Sequence, residues 1–288
     1  MRRDLWLRRI ETLDPAVDYA EIYRIMVAYE FPWDMNQSLS FALFRTYAVP
    51  SIGGLLYRTG EFTTRPQKRY DDTVLILDAI LEHGTNSGPG RTALRRMNRM
   101  HGAYDIANDD LRYVLATFVV VPARWMERFG WRPFSEHERV ASAHYYRDLG
   151  RHMGIRDIPA TFEDFATYLD GYERDHFAVD PGGCAVAEAT IDLMGTFPPH
   201  DRMPAAVVRR FAYALMDDSL LDAFGYPHPS RLARRLCESA LRGRASFLRR
   251  RPPRLSPKYG RDQSSVRGYP DGYDLTRLGT FPGRPDLP

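Results

Sequence analysis

A chain of 288 residues, 44% hydrophobic and 27% charged, is long enough for one large domain and ordinary for a soluble globular protein. A net charge of +3 gives no electrostatic case for nucleic acid or an anionic membrane, although nearly all the basic residues are arginine, Lys68 and Lys258 being the two lysines. Cys184 and Cys237 form no CxxC unit and suit reduced, buried thiols, and no run of about 18 apolar residues predicts a transmembrane helix.

The N-terminal stretch MRRDLWLRRIETLD is basic but lacks the apolar core of a signal peptide, which gives a cytoplasmic expectation. Tyr19, Ile22, Tyr23, Ile25, Met26 and Tyr29 mark one amphipathic helical face. Residues 39–56 are the most apolar stretch, broken by Arg45, Pro50 and two glycines, and suit an apolar pocket or a membrane surface. A helix is expected over Pro66 to Glu82, ended by the turn cluster from His83 to Gly90, and another over Thr92 to Gly102. Asn108 opens a helix to Val121, where Pro122 predicts an interruption before a separate turn over Trp125 to Phe129.

Ser135 and Glu138 form a capping box for a helix reaching Met153 and stopping at Gly154. Thr161 to Phe177 is the next helix, and Pro181-Gly182-Gly183 separates it from one over Cys184 to Met194. Two more, Ala205 to Asp217 and His228 to Leu248, complete an all-α reading with no sustained two-residue alternation and no repeat. Residues 1–248 are thus expected as one helical domain. Residues 249–288 hold seven prolines and five glycines and open on Arg249-Arg250-Arg251. Their apolar groups, Tyr259, Tyr269, Tyr273, Leu275, Leu278 and Phe281, predict an extended segment wrapped over the helical body rather than a solvated tail.

Among eight histidines, His137, His144 and His152 share one helix without the four-residue spacing of a zinc HExxH. Glu173-x-x-His176 is a single ExxH unit, and a di-iron bundle needs two. There is no glycine-rich dinucleotide fingerprint, phosphate loop or nucleophile elbow. His101 differs: Leu94, Met97 and His101 fall at i, i+3 and i+7, so the imidazole shares an apolar face. A neutral imidazole there is a good iron ligand, and equally a satisfied core residue. Arg69 and Thr73, at i and i+4, put a cation and a hydroxyl on one face, suited to holding carboxylates at a pocket rim or to a salt bridge with Asp71 or Asp72.

Arg69-x-x-x-Thr73, a helix end, and Met100-His101 about thirty residues later resemble the family of latex-clearing rubber oxygenases and mpaB-type oxygenases of mycophenolic acid biosynthesis. Arg96-Met-Asn-Arg-Met-His101-Gly-Ala-Tyr-Asp-Ile, Asn108-Asp-Asp-Leu-Arg-Tyr-Val-Leu-Ala-Thr-Phe-Val, Trp131-Arg-Pro-Phe with Glu138, Gly150-Arg-His-Met-Gly-Ile155 and Ile158-Pro159 carry the likeness, closer to the mpaB-like branch. The resemblance implies an all-helical domain enclosing haem b, with His101 as proximal iron ligand and Arg69 and Thr73 in the haem pocket. It implies an oxidoreductase that activates dioxygen against a hydrophobic, prenyl or secondary-metabolite substrate. The latex enzyme's distal lysine has no counterpart before Lys68, and Glu61 is the candidate for its base. The membrane segment of the fungal relatives has no counterpart either. That implies a soluble member with no integral membrane insertion, leaving peripheral membrane contact open, and the small net charge implies no nucleic-acid partner. A haem enzyme of peroxidase-like or dehydrogenating outcome, and a helical binder of an apolar ligand without redox chemistry, are the competing readings.

Overall fold

The computed structural model describes residues 2–281, and all regular structure among them is helical. Helices α1 (Leu5–Glu11) and α2 (Tyr19–Ile25) lead through a π-helical turn at Met26–Glu30 into α3 (Pro32–Thr46), α4 (Pro50–Thr59) and the single turn α5 (Glu61–Thr64). A hairpin of α6 (Pro66–His83) and α7 (Gly88–His101) follows, then α8 (Asn108–Phe129), α9 (Glu136–His152), α10 (Phe162–His176) and α11 (Pro181–Gly195). The last helices are α12 (Ala205–Leu215), α13 (Asp218–Phe224) and α14 (Arg231–Arg249). The all-α, single-domain expectation holds.

Local chemistry explains most boundaries. Ser135 and Thr161 make reciprocal capping boxes with Glu138 and Asp164, so α9 and α10 start where their sequences say. Gly84 and Gly154 supply the positive φ that ends α6 and follows α9. Two boundaries differ from the expectation. Pro181-Gly182-Gly183 is the first turn of α11, because Pro181 occupies a first-turn position and the Asp180 carboxylate accepts from Gly183 N. Pro122 lies inside an unbroken α8 and is buried, with α3, α9 and α10 packed along that helix. Packing on three sides outweighs the lost backbone bond.

The core lies between α8 and the helices around it, with Phe31, Met35, Tyr113, Met126, Phe165 and Leu169 almost wholly buried. A second cluster joins Phe44, Tyr47 and Ala48 to Val186 and Ile191 of α11 and to Leu220, Leu221 and Phe224 of α13. Residues 39–56 are two helices, α3 and α4, bent by 98°. No single described helix is long and apolar enough to cross a membrane.

After α14 the chain runs back over α2, α6 and α7. Lys258 N donates to Ala28 O at 2.8 Å, Tyr259 and Leu278 are buried, and Arg96 bonds the Leu278 carbonyl. Three buried aspartates of α6 accept the segment's amides: Gly260 N and Arg261 N to Asp78, Arg267 N and Gly268 N to Asp71, Gly279 N to Asp72. Residues 282–288, the end of the proline-rich stretch, lie outside the described residues.

Helix α4 crosses α11 at bare backbone. A Cβ on Gly53 would strike the Tyr47 carbonyl and stand 2.7 Å from Gly183 Cα. Gly53→Ala is therefore expected to destabilise the fold by roughly 1–3 kcal/mol, read as a lower urea midpoint with unchanged slope. Gly243→Ala, whose Cβ meets nothing within 4 Å, is the control.

Candidate active site

The antiparallel hairpin of α6 and α7 sets the start of one helix beside the end of the other. That brings Arg69, in the first turns of α6, to His101, the last residue of α7. Helix α7 opens on Ser87, whose hydroxyl accepts from Gly90 N, and buries Leu94, Met97 and Met100. His101 thus ends an apolar face. Its Nδ1 is sealed from solvent and has no hydrogen-bond partner among the described residues. Burial and then the Arg69 charge push the His101 pKa down to about 4; the Met97 carbonyl one turn back pulls the other way without reaching hydrogen-bond geometry. The imidazole is neutral at pH 7, with a lone pair available for a metal.

Arg69 bonds the Thr73 hydroxyl, as their spacing requires, and its guanidinium lies over the Phe62 ring, 5.1 Å from the centroid. It forms no pair with either neighbouring carboxylate. Asp71 takes Gln67 and two backbone amides, and Asp72 takes Lys68, Tyr269 and Gly279 N. No carboxylate among the described residues pairs with Arg69. A cation beside a neutral histidine, with both adjacent acids already used, is an arrangement ready for an anionic group.

The surroundings add groups that spacing along the chain did not single out. Tyr47 is buried, its pKa pushed up to about 12 by burial and eased by Arg69 and the Thr190 hydroxyl. Its ring meets Phe62 edge-on at 5.4 Å and Phe44 at 5.6 Å, building an aromatic wall next to Arg69. Phe44 also lines a small apolar pocket with Phe41, Ile191, Met194 and Met216. Tyr104, three residues beyond His101, is raised by burial and then by Glu61, with Arg69 opposing. Glu61 is buried and ion-paired with Arg65 one turn on. The sequence-selected residues Glu61, Arg69, Thr73 and His101 therefore share one neighbourhood. Tyr104 was within reach of a motif reading. Tyr47 and Thr190 were not, because the α4–α11 crossing brings them in.

Three of the other histidines are engaged elsewhere. Glu173 of the ExxH unit bonds Arg45 and, at 3.1 Å, accepts from the Tyr113 hydroxyl; His176 stacks on Tyr172 at 3.9 Å. His144 stacks on Tyr19, and His152 Nδ1 reaches the Asp148 carbonyl at 2.9 Å. No group of three or more metal-ligating side chains occurs among the described residues, so a metal ion held by protein alone has no donor set there.

Residues 37–250 match the family model described as ER-bound oxygenase mpaB/B'/Rubber oxygenase, catalytic domain. The chain belongs to this family. The family's description is that of an oxygenase catalytic domain. The mpaB-type relatives include ER-bound oxygenase mpaB' of Penicillium brevicompactum, 32% identical over 229 residues, 73% of this chain and 53% of the relative. ER-bound oxygenase mpaB of Penicillium roqueforti (strain FM164) is 32% identical over 217 residues, 68% of this chain and 72% of the relative. The chain spans about half the length of the mpaB' protein it matches. These relatives carry the words ER-bound in their names, and the cytoplasmic expectation does not stand. The lack of a long apolar run bears on spanning a membrane and not on where a protein resides.

The depressed His101 pKa sets a pH signature. Above about pH 6.5 both folded and unfolded imidazoles are neutral. Below it the unfolded chain takes up a proton that the folded one refuses down to about pH 4. In protein carrying no added cofactor, stability from this group falls through that window by up to about 3 kcal/mol. Subtracting urea-denaturation curves of His101→Phe from wild type at pH 7 and pH 4.5 should isolate that fall, and equal differences at the two pH values would contradict it.

Proposed function

We propose that this chain is the catalytic domain of a haem b-dependent oxygenase that uses dioxygen to oxidise or cleave a hydrophobic, prenyl-like or secondary-metabolite substrate. The observation carrying this reading is the pair at the α6–α7 junction: a neutral, half-buried imidazole, its Nδ1 sealed and unpartnered, beside an arginine that has no carboxylate partner among the described residues. Haem b would need an imidazole for its iron and a cation for a propionate, and His101 and Arg69 are groups of those two kinds, so the residues present fit the group. Family membership supports the oxygenase class.

Each residue then has a task. His101 would hold the iron through an imidazole nitrogen, and its depressed pKa keeps the ring neutral at physiological pH. Arg69, oriented by Thr73, would hold a propionate carboxylate. Phe44, Tyr47 and Phe62 exclude water and offer an apolar surface to a hydrophobic substrate. Glu61, beside Tyr104 and tethered to Arg65, is the proposed proton acceptor. Bound haem iron would supply dioxygen activation, while the protein supplies orientation and a dry setting.

Protein isolated with iron and haem precursors available should be red, with a Soret band that His101→Ala removes while helical content stays unchanged. With a prenyl substrate under oxygen-18 gas, the product should carry the heavy isotope. A colourless protein that takes up no hemin contradicts the cofactor assignment. An oxidised product free of the label would instead mean a peroxidase-like or dehydrogenating reaction.

A further inference from the structure

Helix α14 packs on the body through a narrow strip. Leu241 and Ala245 are buried, Arg234 reaches the Met216 carbonyl and Asp218, and Arg244 pairs with Asp34. The opposite face is open along the whole helix. Leu232, Leu236, Ala240, Gly243 and Phe247 follow spacings of four, four, three and four, so they form one stripe. All five are exposed, and the three large ones keep 66%, 61% and 57% of their surface in solvent.

Cations border the stripe along one side and at its C-terminal end. Arg231, Arg235, Arg242 and Arg250 are exposed, and Arg251 lies over the Phe247 ring at 4.8 Å. Among the described residues no carboxylate pairs with Arg231, Arg235 or Arg250. The one acid on the helix, Glu238, is drawn to Arg128 on the body side. Arg254 and exposed Leu255 continue the pattern beyond the helix. The whole-chain charge of +3 conceals this local concentration.

We propose that this face of α14 is a docking surface for an anionic lipid membrane, the helix lying in the plane of the headgroups with Leu232, Leu236 and Phe247 inserted. The chemistry selects that partner. An apolar stripe bordered by arginines matches acyl chains beneath anionic headgroups. Nucleic acid would use the arginines and leave the leucines and Phe247 in water. A second copy docked antiparallel by two-fold symmetry would set the two arginine borders, of like charge, against each other. The site is independent of any cofactor.

The test is flotation of the full chain with vesicles of phosphatidylcholine alone or containing about a third phosphatidylserine. The proposal expects binding to the anionic vesicles at least about 10-fold stronger than to neutral ones, weakening as salt rises. The triple variant Leu232→Ser, Leu236→Ser, Phe247→Ser should lose about 10-fold or more, and Arg235→Gln with Arg250→Gln roughly 20- to 30-fold. All five positions are exposed, so thermal midpoint and helical content should be unchanged. Absence of anionic-vesicle binding overturns the proposal, as does binding that survives the serine variant. So does a face occupied instead by a single-stranded RNA oligonucleotide, or by a second copy whose dimer the serine variant dissociates in sedimentation velocity.

Discussion

Three carboxylates buried on a single helix organise much of this molecule. Asp71, Asp72 and Asp78 of α6 leave water on folding, and a buried carboxylate is costly unless hydrogen-bonded. Burial pushes Asp71 and Asp78 upward, and backbone amides arriving from nearly two hundred residues away pull them back. The C-terminal segment, poor in secondary structure of its own, thereby acquires fixed anchor points. The same arrangement decides the state of Arg69, because the acids that would otherwise neutralise it are committed to the segment. Fold closure and site electrostatics thus share the same oxygens.

Around that constraint the site is a product of topology. A helical hairpin brings its two open ends together, so residues thirty positions apart, Arg69 and His101, become neighbours without further design. The α4–α11 crossing, possible because Gly53 and Gly183 carry no side chain, brings Tyr47, with Thr190 bonded to it, near Arg69. The aromatic wall and the single turn α5 then close the neighbourhood around Tyr104 and Glu61. Each contributor is held by an element packed for reasons of its own, which is how a scaffold keeps reactive groups in position.

Much of this was legible before any coordinates. Helical periodicity fixed the class, and the capping box at Ser135 fixed the start of α9. The i, i+4 spacing of Arg69 and Thr73 implied that their side chains could meet, and they do. Where local rules failed, tertiary packing was the reason. Pro122 reads as a breaker but sits in a helix clasped by three others, and Pro181 reads as a separator although its position favours a helix start. The partner choice of Asp71 and Asp72 lay beyond sequence reasoning, since it depends on amides nearly two hundred residues away. So did the open face of α14: its pattern is written in the sequence, but which side meets the body is not.

The central claim is that Arg69 stands ready for a carboxylate beside a neutral histidine. Spectral titration with hemin and with hemin dimethyl ester, whose propionates are uncharged, addresses it directly. In wild type the ester should bind about 10- to 100-fold more weakly, while in Arg69→Gln the two should bind alike, with His101 ligation and its Soret position retained in both proteins. An ester that binds wild type as tightly as hemin, or a discrimination that survives in Arg69→Gln, would contradict the account.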